Sequence, residues 1–321
     1  MEVFSSEELV VKAPAKINLV LRVLDRRPDG YHNLWSLMQT VGLEDELQVR
    51  VRPDLHEVTV WCDDPTLPTD ARNLVHQAVT RVLEAAGRRI GVDVHVTKRI
   101  PMGGGLGGGS SDAAAMIVAL NRLLGLGWSV AEMARVSESL GSDVPFFFHA
   151  PTAIVRGRGG DVVPVSLSGS RWIVLVNPGF PVETRWAYEQ LSRSRSHVPS
   201  LSPALLSLTG GAALAWEDVI PLMANDFEEA LKPTHPALNE IKHTLLGSGA
   251  EAALLSGSGA TVFGVFRQKD PAARARDILR QREGYRAYAV PAGPTPSFGL
   301  EGHAHSPTGS SKPALSSRSV G

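Results

Sequence analysis

Residues 101 to 112 read Pro-Met-Gly-Gly-Gly-Leu-Gly-Gly-Gly-Ser-Ser-Asp, with six glycines in the seven positions from Gly103 to Gly109. Backbone without Cβ atoms can turn tightly and bring successive N–H groups to one point, and a helix expected from about Ser110 adds the positive end of its dipole. Pro101, Met102, Gly103, Gly104, Gly105, Leu106, Gly107, Gly108 and Gly109 therefore form a candidate cradle for phosphate. Ser110 and Ser111 fall where a helix cap belongs; their hydroxyls can close the helix or reach a phosphate or a magnesium-bound water. A strand-to-helix turn that simply needs glycine is the plain alternative. Gly103, Gly105 and Gly108 fit the spacing of a dinucleotide fingerprint, but that fingerprint needs a second strand with an acidic end about 20 residues on, and another helix is expected there. No Gly-Lys-Ser/Thr follows the loop, so it is not a Walker A loop either.

Other residues have types that could complete such a site. Lys16 sits in an apolar stretch expected to be a strand, where a buried ammonium needs a carboxylate or phosphate beside it. A snorkelling edge-strand lysine is the alternative. Asn18 shares the face of Lys16. Asp143 lies in a turn between Gly141 and Pro145, where its carboxylate can face a cleft or serve an Asx turn or helix cap. Tyr31 and His32 follow the turn signal Asp29-Gly30 and are expected to be presented from a loop. Lys98 ends the strand before the glycine loop and Asn73 begins a helix; a surface lysine and a helix cap are their plain readings.

Three segments in order carry a resemblance. Ala13-Pro14-Ala15-Lys16-Ile17-Asn18-Leu19, the glycine loop, and Leu255-Ser256-Gly257-Ser258-Gly259-Ala260-Thr261 resemble motifs 1, 2 and 3 of the GHMP kinases. The runs Arg26–Leu34 and Gly141–Phe147 are similar to the branch of that family that acts on a cytidylated alcohol in isoprenoid precursor synthesis. The resemblance implies a two-lobed α+β fold, with a ribosomal-protein-S5-like N-terminal lobe, a ferredoxin-like C-terminal lobe and the site in the cleft between them. It implies ATP with Mg2+, held by the glycine loop, Asn73 and Lys98, and a small-molecule alcohol as acceptor. It makes Asp143 the general base assisted by Lys16, and it places Asn18, Tyr31 and His32 on the acceptor. A second aromatic expected from the C-terminal lobe is assigned to Tyr188, with Thr184 nearby, although the spacing departs from the family pattern. Tyr188 and Trp186 can equally be core residues of an amphipathic helix. Arg156-Gly157-Arg158-Gly159-Gly160-Asp161 departs from the family run, which ends in glycine and glutamate.

The elements that must position these groups are legible as periodicity. Strands are expected at Val10–Leu24, Asp45–Val51, Glu57–Cys62 and Val92–Arg99, with helices at Asn73–Ala86, Ser110–Leu124 and Ser129–Leu140. Strands follow at Ala153–Arg156, Val162–Val165 and Trp172–Val176, then helices around Thr184–Leu191, Asp226–Leu231 and Leu238–Leu246. The last unit reads strand Ala252–Leu255, strand Thr261–Arg267, helix Pro271–Arg282, strand Tyr285–Val290. Lobes are expected at 1–165 and 166–290. Residues 291–321, dense in Pro, Gly, Ser and His, are expected to be a disordered tail.

Composition narrows the class. With 321 residues, 43% of them hydrophobic, the chain can bury a large core. The net charge of −1 offers no field that would attract nucleic acid. The single cysteine, Cys62, suits a reducing compartment, and neither a signal peptide nor a membrane span is expected, so a cytoplasmic protein is anticipated. Metal ligands and oligomeric state are left open.

Overall fold

A computed structural model describes residues 8–208, 211 and 213–292. In chain order the first half comprises β1 (Glu8–Arg26), β2 (His32–Arg52), β3 (Val58–Cys62), α1 (Leu74–Ala86), β4 (Gly91–Thr97), α2 (Gly108–Leu123), α3 (Val130–Ser137), α4 (Val144–Phe147), β5 (Thr152–Gly157) and β6 (Asp161–Pro164). The second half comprises β7 (Ser166–Ser168), β8 (Arg171–Asn177), α5 (Thr184–Ser194), α6 (Pro203–Leu206), β9 (Ala213–Ala215), α7 (Trp216–Val219) and β10 (Ala224–Asn225). It ends with α8 (Phe227–Leu231), α9 (Pro236–Gly247), β11 (Ala252–Leu255), β12 (Val262–Phe266), α10 (Lys269–Arg280) and β13 (Arg286–Ala292).

Among the described residues, eleven strands form one sheet with β2 as its hub. β2 pairs with β1 along most of its length, with β5 through Leu34–Gln39 and with β4 through Glu46–Arg52. At Val41 it meets Ala292 of β13, which continues through β8 and β12 to β11. The expected lobe boundary near residue 165 falls between β6 and β7, and the sheet itself runs across it through β2 and β13. Pro291 and Ala292, expected to begin the tail, complete β13; the rest of that tail, with His303 and His305, lies outside the described residues.

Local sequence accounts for most elements. α1 buries Val75, Ala78, Val79, Val82 and Leu83 on one face, begins at the Asn73 cap and ends at Gly87 with φ +60°. α3 opens on a capping box between Ser129 and Glu132. β2 begins at His32, thirteen residues before the expected Asp45, because Ser36, Gln39 and Thr40 interrupt the apolar pattern. Those polar side chains are buried yet satisfied: Ser36 Oγ donates to Val20 O at 2.6 Å and Thr152 Oγ1 to Gln39 Oε1 at 2.5 Å. His32 is thus a strand residue, and only Tyr31 belongs to the turn, where Gly30 has φ +87°.

Three apolar clusters hold the layers together. One lies between α1 to α4 and the sheet of β1 to β4, and another packs α5 and α8 to α10 on β8, β11 and β12. The central cluster joins Ile17 and Leu37 of the first half to Ile173, Leu175 and Phe263 of the second. Phe263 is fully buried there. Phe263→Ala is expected to cost about 3–5 kcal/mol of stability, measured from the urea unfolding midpoint at constant m-value.

Candidate active site

β1 carries Lys16 at its centre, 3% exposed. Its Nζ donates to Asn18 Oδ1 at 2.8 Å and stands 3.3 Å from Asp143 Oδ2. Asp143 occupies the residue before α4 but makes no capping bond with its side chain, so the carboxylate is free to serve the ion pair. The edge-lysine and helix-cap alternatives are both set aside by this geometry. Asn18 is almost fully committed: Oδ1 also accepts Gly257 N at 3.0 Å, and Nδ2 donates to Ser36 Oγ at 2.8 Å. It orients Lys16 and ties the first motif to the third.

The glycine loop docks on the same strand, Lys16 N donating to Leu106 O at 2.9 Å. A Cβ on Gly107 would lie 2.9 Å from Lys16 Cγ. From the other side comes the Ser256–Thr261 turn: Ser256 Oγ donates to Gly105 O at 3.0 Å and Thr261 N to Gly104 O at 3.2 Å. Gly105 has φ +75°, and a Cβ there would sit 2.0 Å from Ser256 O. Close packing of loop on loop therefore demands glycine at least as strongly as phosphate access does. The helix start also differs from the expectation: the cap is Gly107, and α2 begins at Gly108, so Ser110 and Ser111 lie inside its first turn. No side chain caps this end, which leaves first-turn N–H groups for an anion. Ser110 is half-buried at this turn, whereas Ser111 Oγ is fully buried with no hydrogen-bond partner among the described residues. Within the loop Pro101 and Leu106 are buried and Met102 is exposed.

Behind the loop lies a cluster that sequence reading did not assemble. The Lys98 ammonium is held between Asp45, in a very short contact, and Asp112 Oδ2 at 2.7 Å, all three side chains being buried. Asp45 Oδ1 accepts Arg99 N at 2.5 Å and Ile100 N at 2.9 Å. One carboxylate–ammonium–carboxylate set thus joins the entry of the glycine loop to the second turn of α2. Lys98 is neither a surface lysine nor free for a nucleotide in this arrangement. Asn73 likewise shows its plain role: Oδ1 accepts Val75 N at 2.8 Å and Nδ2 donates to Pro68 O at 2.7 Å. A buried aspartate one residue past the serines, with a lysine at the far end of the loop, was the signal available.

With two carboxylates and one ammonium, the cluster favours an extra proton. Burial, and less so Asp45, push Asp112 up to about 7, against the lowering effect of Lys98. Burial opposes the Lys98 charge, but Asp112 and Asp45 outweigh it and raise its pKa.

Beyond Asp143 lies an aromatic pair. Tyr188 on α5 stacks on His32, centroids 5.0 Å apart and planes at 20°, with Phe227 edge-on at 4.9 Å. Burial and then the charge of Asp143 push the Tyr188 hydroxyl up to about 12, which puts the phenol within the field of Asp143. Burial, then the positive charges of Arg195 and Arg26, lower the pKa of His32 and favour the neutral ring. Thr184 Oγ1 lies 3.1 Å from Ser258 Oγ of the third motif. Trp186 turns instead to His235, centroids 5.3 Å apart. Tyr31 is 58% exposed, with the Arg158 guanidinium 3.9 Å from its ring centre. Arg158 stands in the run that departs from the family pattern. Among the described residues no cluster of three His, Cys, Asp or Glu side chains could hold a metal ion, and no helix is long and apolar enough to cross a membrane.

Residues 73–150 match the family model for the GHMP kinases N terminal domain, and residues 210–286 that for the GHMP kinases C terminal. The chain belongs to the GHMP kinases, and is an ATP-dependent kinase of small molecules. It is 42% identical to the 4-diphosphocytidyl-2-C-methyl-D-erythritol kinase of Syntrophotalea carbinolica, the match covering 87% of this chain and 96% of the relative. The Synechococcus enzyme of the same name is 41% identical over 84% of this chain and 89% of its own. A crystal structure of 4-(cytidine 5'-diphospho)-2C-methyl-D-erythritol kinase superposes with TM-score 0.72 at 33% identity, covering 88% of this chain and 99% of that one. Homoserine kinase from Cytophaga hutchinsonii shares the fold, with TM-score 0.70 at 22% identity over 90% of this chain and 96% of its own.

Two outcomes follow from the glycine loop and the cluster behind it. Gly105→Ala forces both a positive φ and a backbone clash, a strain of more than about 1 kcal/mol; it is expected to raise the KM for MgATP about tenfold or more, well beyond the effect of Gly109→Ala. Folded Asp112 holds its proton more tightly than the unfolded chain, whose ordinary value is 3.8. Its contribution to stability is therefore complete below about pH 4 and falls away as pH rises through about 7. Thermal midpoints measured from pH 4 to 8 should show Asp112→Asn gaining on the wild type across that window and levelling off above it.

Proposed function

We propose that the chain transfers the γ-phosphoryl group of ATP to the 2-hydroxyl of 4-diphosphocytidyl-2-C-methyl-D-erythritol, giving the 2-phosphate and ADP, in non-mevalonate isoprenoid precursor synthesis. The observation that carries this reading is the ion pair of Lys16 and Asp143 at 3.3 Å, on the strand that receives the glycine loop and beside the His32–Tyr188 pair. The names of the similar enzymes support the same acceptor.

Phosphoryl transfer asks chiefly for positioning and for charge neutralisation. In this reading the N–H groups of the glycine loop and the first turn of α2 bind the phosphates of ATP. Magnesium arrives with ATP as part of the substrate and offsets phosphate charge; it takes oxygen ligands, and the Ser110 hydroxyl is the group this chain offers at that turn. Asp143 accepts the proton of the acceptor hydroxyl as its oxygen bonds to phosphorus. Lys16, fixed by Asn18, stabilises the negative charge on that oxygen. The neutral His32 ring offers one donor and one acceptor, which suits the edge of cytosine, while Tyr188 and Tyr31 supply faces for stacking. His32 and Tyr188, 5.0 Å apart, leave no room for a base between them, so the stacked pair serves as one wall of the base site. Thr184, touching Ser258, lines the acceptor side.

The test is ADP release with MgATP and four alcohols: the cytidylated alcohol, the same alcohol without cytidine, homoserine and mevalonate. Turnover of the cytidylated alcohol alone is expected. Asp143→Asn should lower kcat by about 10² to 10⁴ with the MgATP KM little changed, as loss of a general base does. Equal turnover of homoserine or mevalonate would defeat the cytosine reading, and an Asp143→Asn variant with wild-type kcat would remove Asp143 from the role of base.

A further inference from the structure

The reading of His32 and Tyr188 as the base site leaves open what holds a side chain of the second half against one of the first. Tyr188 rides on α5, and the chain leaves that helix at Arg195 with extended backbone, φ −118° and ψ 137°. There the Arg195 guanidinium turns back to β1, donating to Val23 O at 2.7 Å and Leu24 O at 3.2 Å. This is where the β1–β2 register shifts, between Val23 and Arg26, so that the strand's carbonyls need another donor. The same stretch of β1 is gripped from α8. Asp226 Oδ2 accepts Val23 N at 2.8 Å, Asp226 Oδ1 accepts Arg22 Nη1 at 2.8 Å, and Asp226 N donates to Leu21 O at 3.0 Å. Arg195 Nη1 lies 4.0 Å from Asp226 Oδ2, which closes the set. Phe227, the next residue, is the ring that meets the edge of Tyr188.

Two helices therefore bind one segment of β1 through charged groups, and between them they fix both Tyr188 and the ring that buttresses it. We propose that Arg195, with Asp226 and Arg22, is a positioning clasp that sets Tyr188 against His32, so that selection of the cytidine end of the acceptor acts through it. Arg195 is a positioning residue: its guanidinium is engaged by two backbone carbonyls and Asp226, and its side chain is only 17% exposed. A direct hold on the diphosphate would instead call on a guanidinium free of protein partners. The hydrogen bonds of Arg195 and of the Asp226 carboxylate go to β1 and not to the glycine loop, so loss of the clasp is expected to spare the nucleotide.

The experiment measures binding of cytidine, and separately of cytidine diphosphate, to the full chain saturated with a non-hydrolysable MgATP analogue. Arg195→Met keeps most of the apolar stem and is expected to weaken both probes by the same factor, about tenfold, with the KM for MgATP unchanged. Arg195→Lys, with one donor group left, should recover part of the loss. In a Tyr188→Leu background, Arg195→Met should add nothing, because the group it positions is already gone. Loss confined to cytidine diphosphate would mean a direct phosphate contact, and a parallel loss of MgATP affinity or full additivity with Tyr188→Leu would mean general structural support; each overturns the clasp. If Arg195→Met fails to fold, Asp226→Asn, which keeps an acceptor for Val23 N but drops the charge, carries the same comparisons. Wild type that binds neither probe would sink the base-site reading itself, whereas wild-type binding unaltered by the variants would sink the clasp alone.

Discussion

The buried ammonium of Lys16 is the constraint around which the molecule is arranged. A strand residue 3% exposed cannot leave its charge without a counterion, because desolvation is worth several kcal/mol. Asp143 supplies that counterion from the start of α4, and Asn18 and Ser36 set the direction of the ammonium through a chain of buried hydrogen bonds. The glycine loop then closes over the lysine stem, which is why Gly107 has no room for a Cβ. In the proposed mechanism the same ammonium stabilises the negative charge that develops on the acceptor oxygen.

Loop packing follows from this centre. Ser256 and Thr261 bond the carbonyls of Gly105 and Gly104, and Gly257 N reaches Asn18. Donors and acceptors of three distant segments are thus paired with one another, so the loop is fixed before any nucleotide arrives. Such preorganisation is worth more to phosphoryl transfer than additional contacts, since orientation and electrostatics supply most of the effect. The glycines of the loop accordingly serve two different needs. Gly103, Gly105 and Gly107 carry positive φ, while Gly104 and Gly108 need room against Thr261, Asn177 and Ile100.

Much of this is legible in the amino-acid order, for identifiable reasons. α1 can be read because its buried residues repeat at helical spacing between Asn73 and Gly87, and the strand bearing Lys16 because its neighbours are apolar. β2 cannot be read from its start, since Ser36 and Gln39 find partners in Val20 of β1 and Thr152 of β5, which a local pattern does not contain. For the same reason the Lys98 cluster is hidden: Asp45 and Lys98 are separated by 53 positions, and only the β2–β4 pairing brings them together. The assignments of Asn73 and Lys98 to nucleotide rest on resemblance, and in the structure both side chains are engaged with protein partners. Tyr188, assigned to the acceptor side despite irregular spacing, does stand beside His32.

In the proposed reading the nucleotide and acceptor sides differ in how far their groups reach solvent, and this difference bears on how the enzyme can vary. Behind the glycine loop the brace is ionic and buried, so losing Lys98 leaves two carboxylates without their ammonium and threatens the fold. The acceptor side is held at its rim, where Arg195 grips backbone carbonyls and Tyr31 and Arg158 reach solvent. Replacement of Tyr31 or Arg158 costs little stability, because exposed groups recover water when a partner is lost. The fold is shared with homoserine kinase at 22% identity, and one fold can carry different sites. In the proposed reading, specificity is set by side chains of β1, β2 and α5 that meet across the sheet, while the chemistry is set by the lysine–aspartate pair beneath the loop.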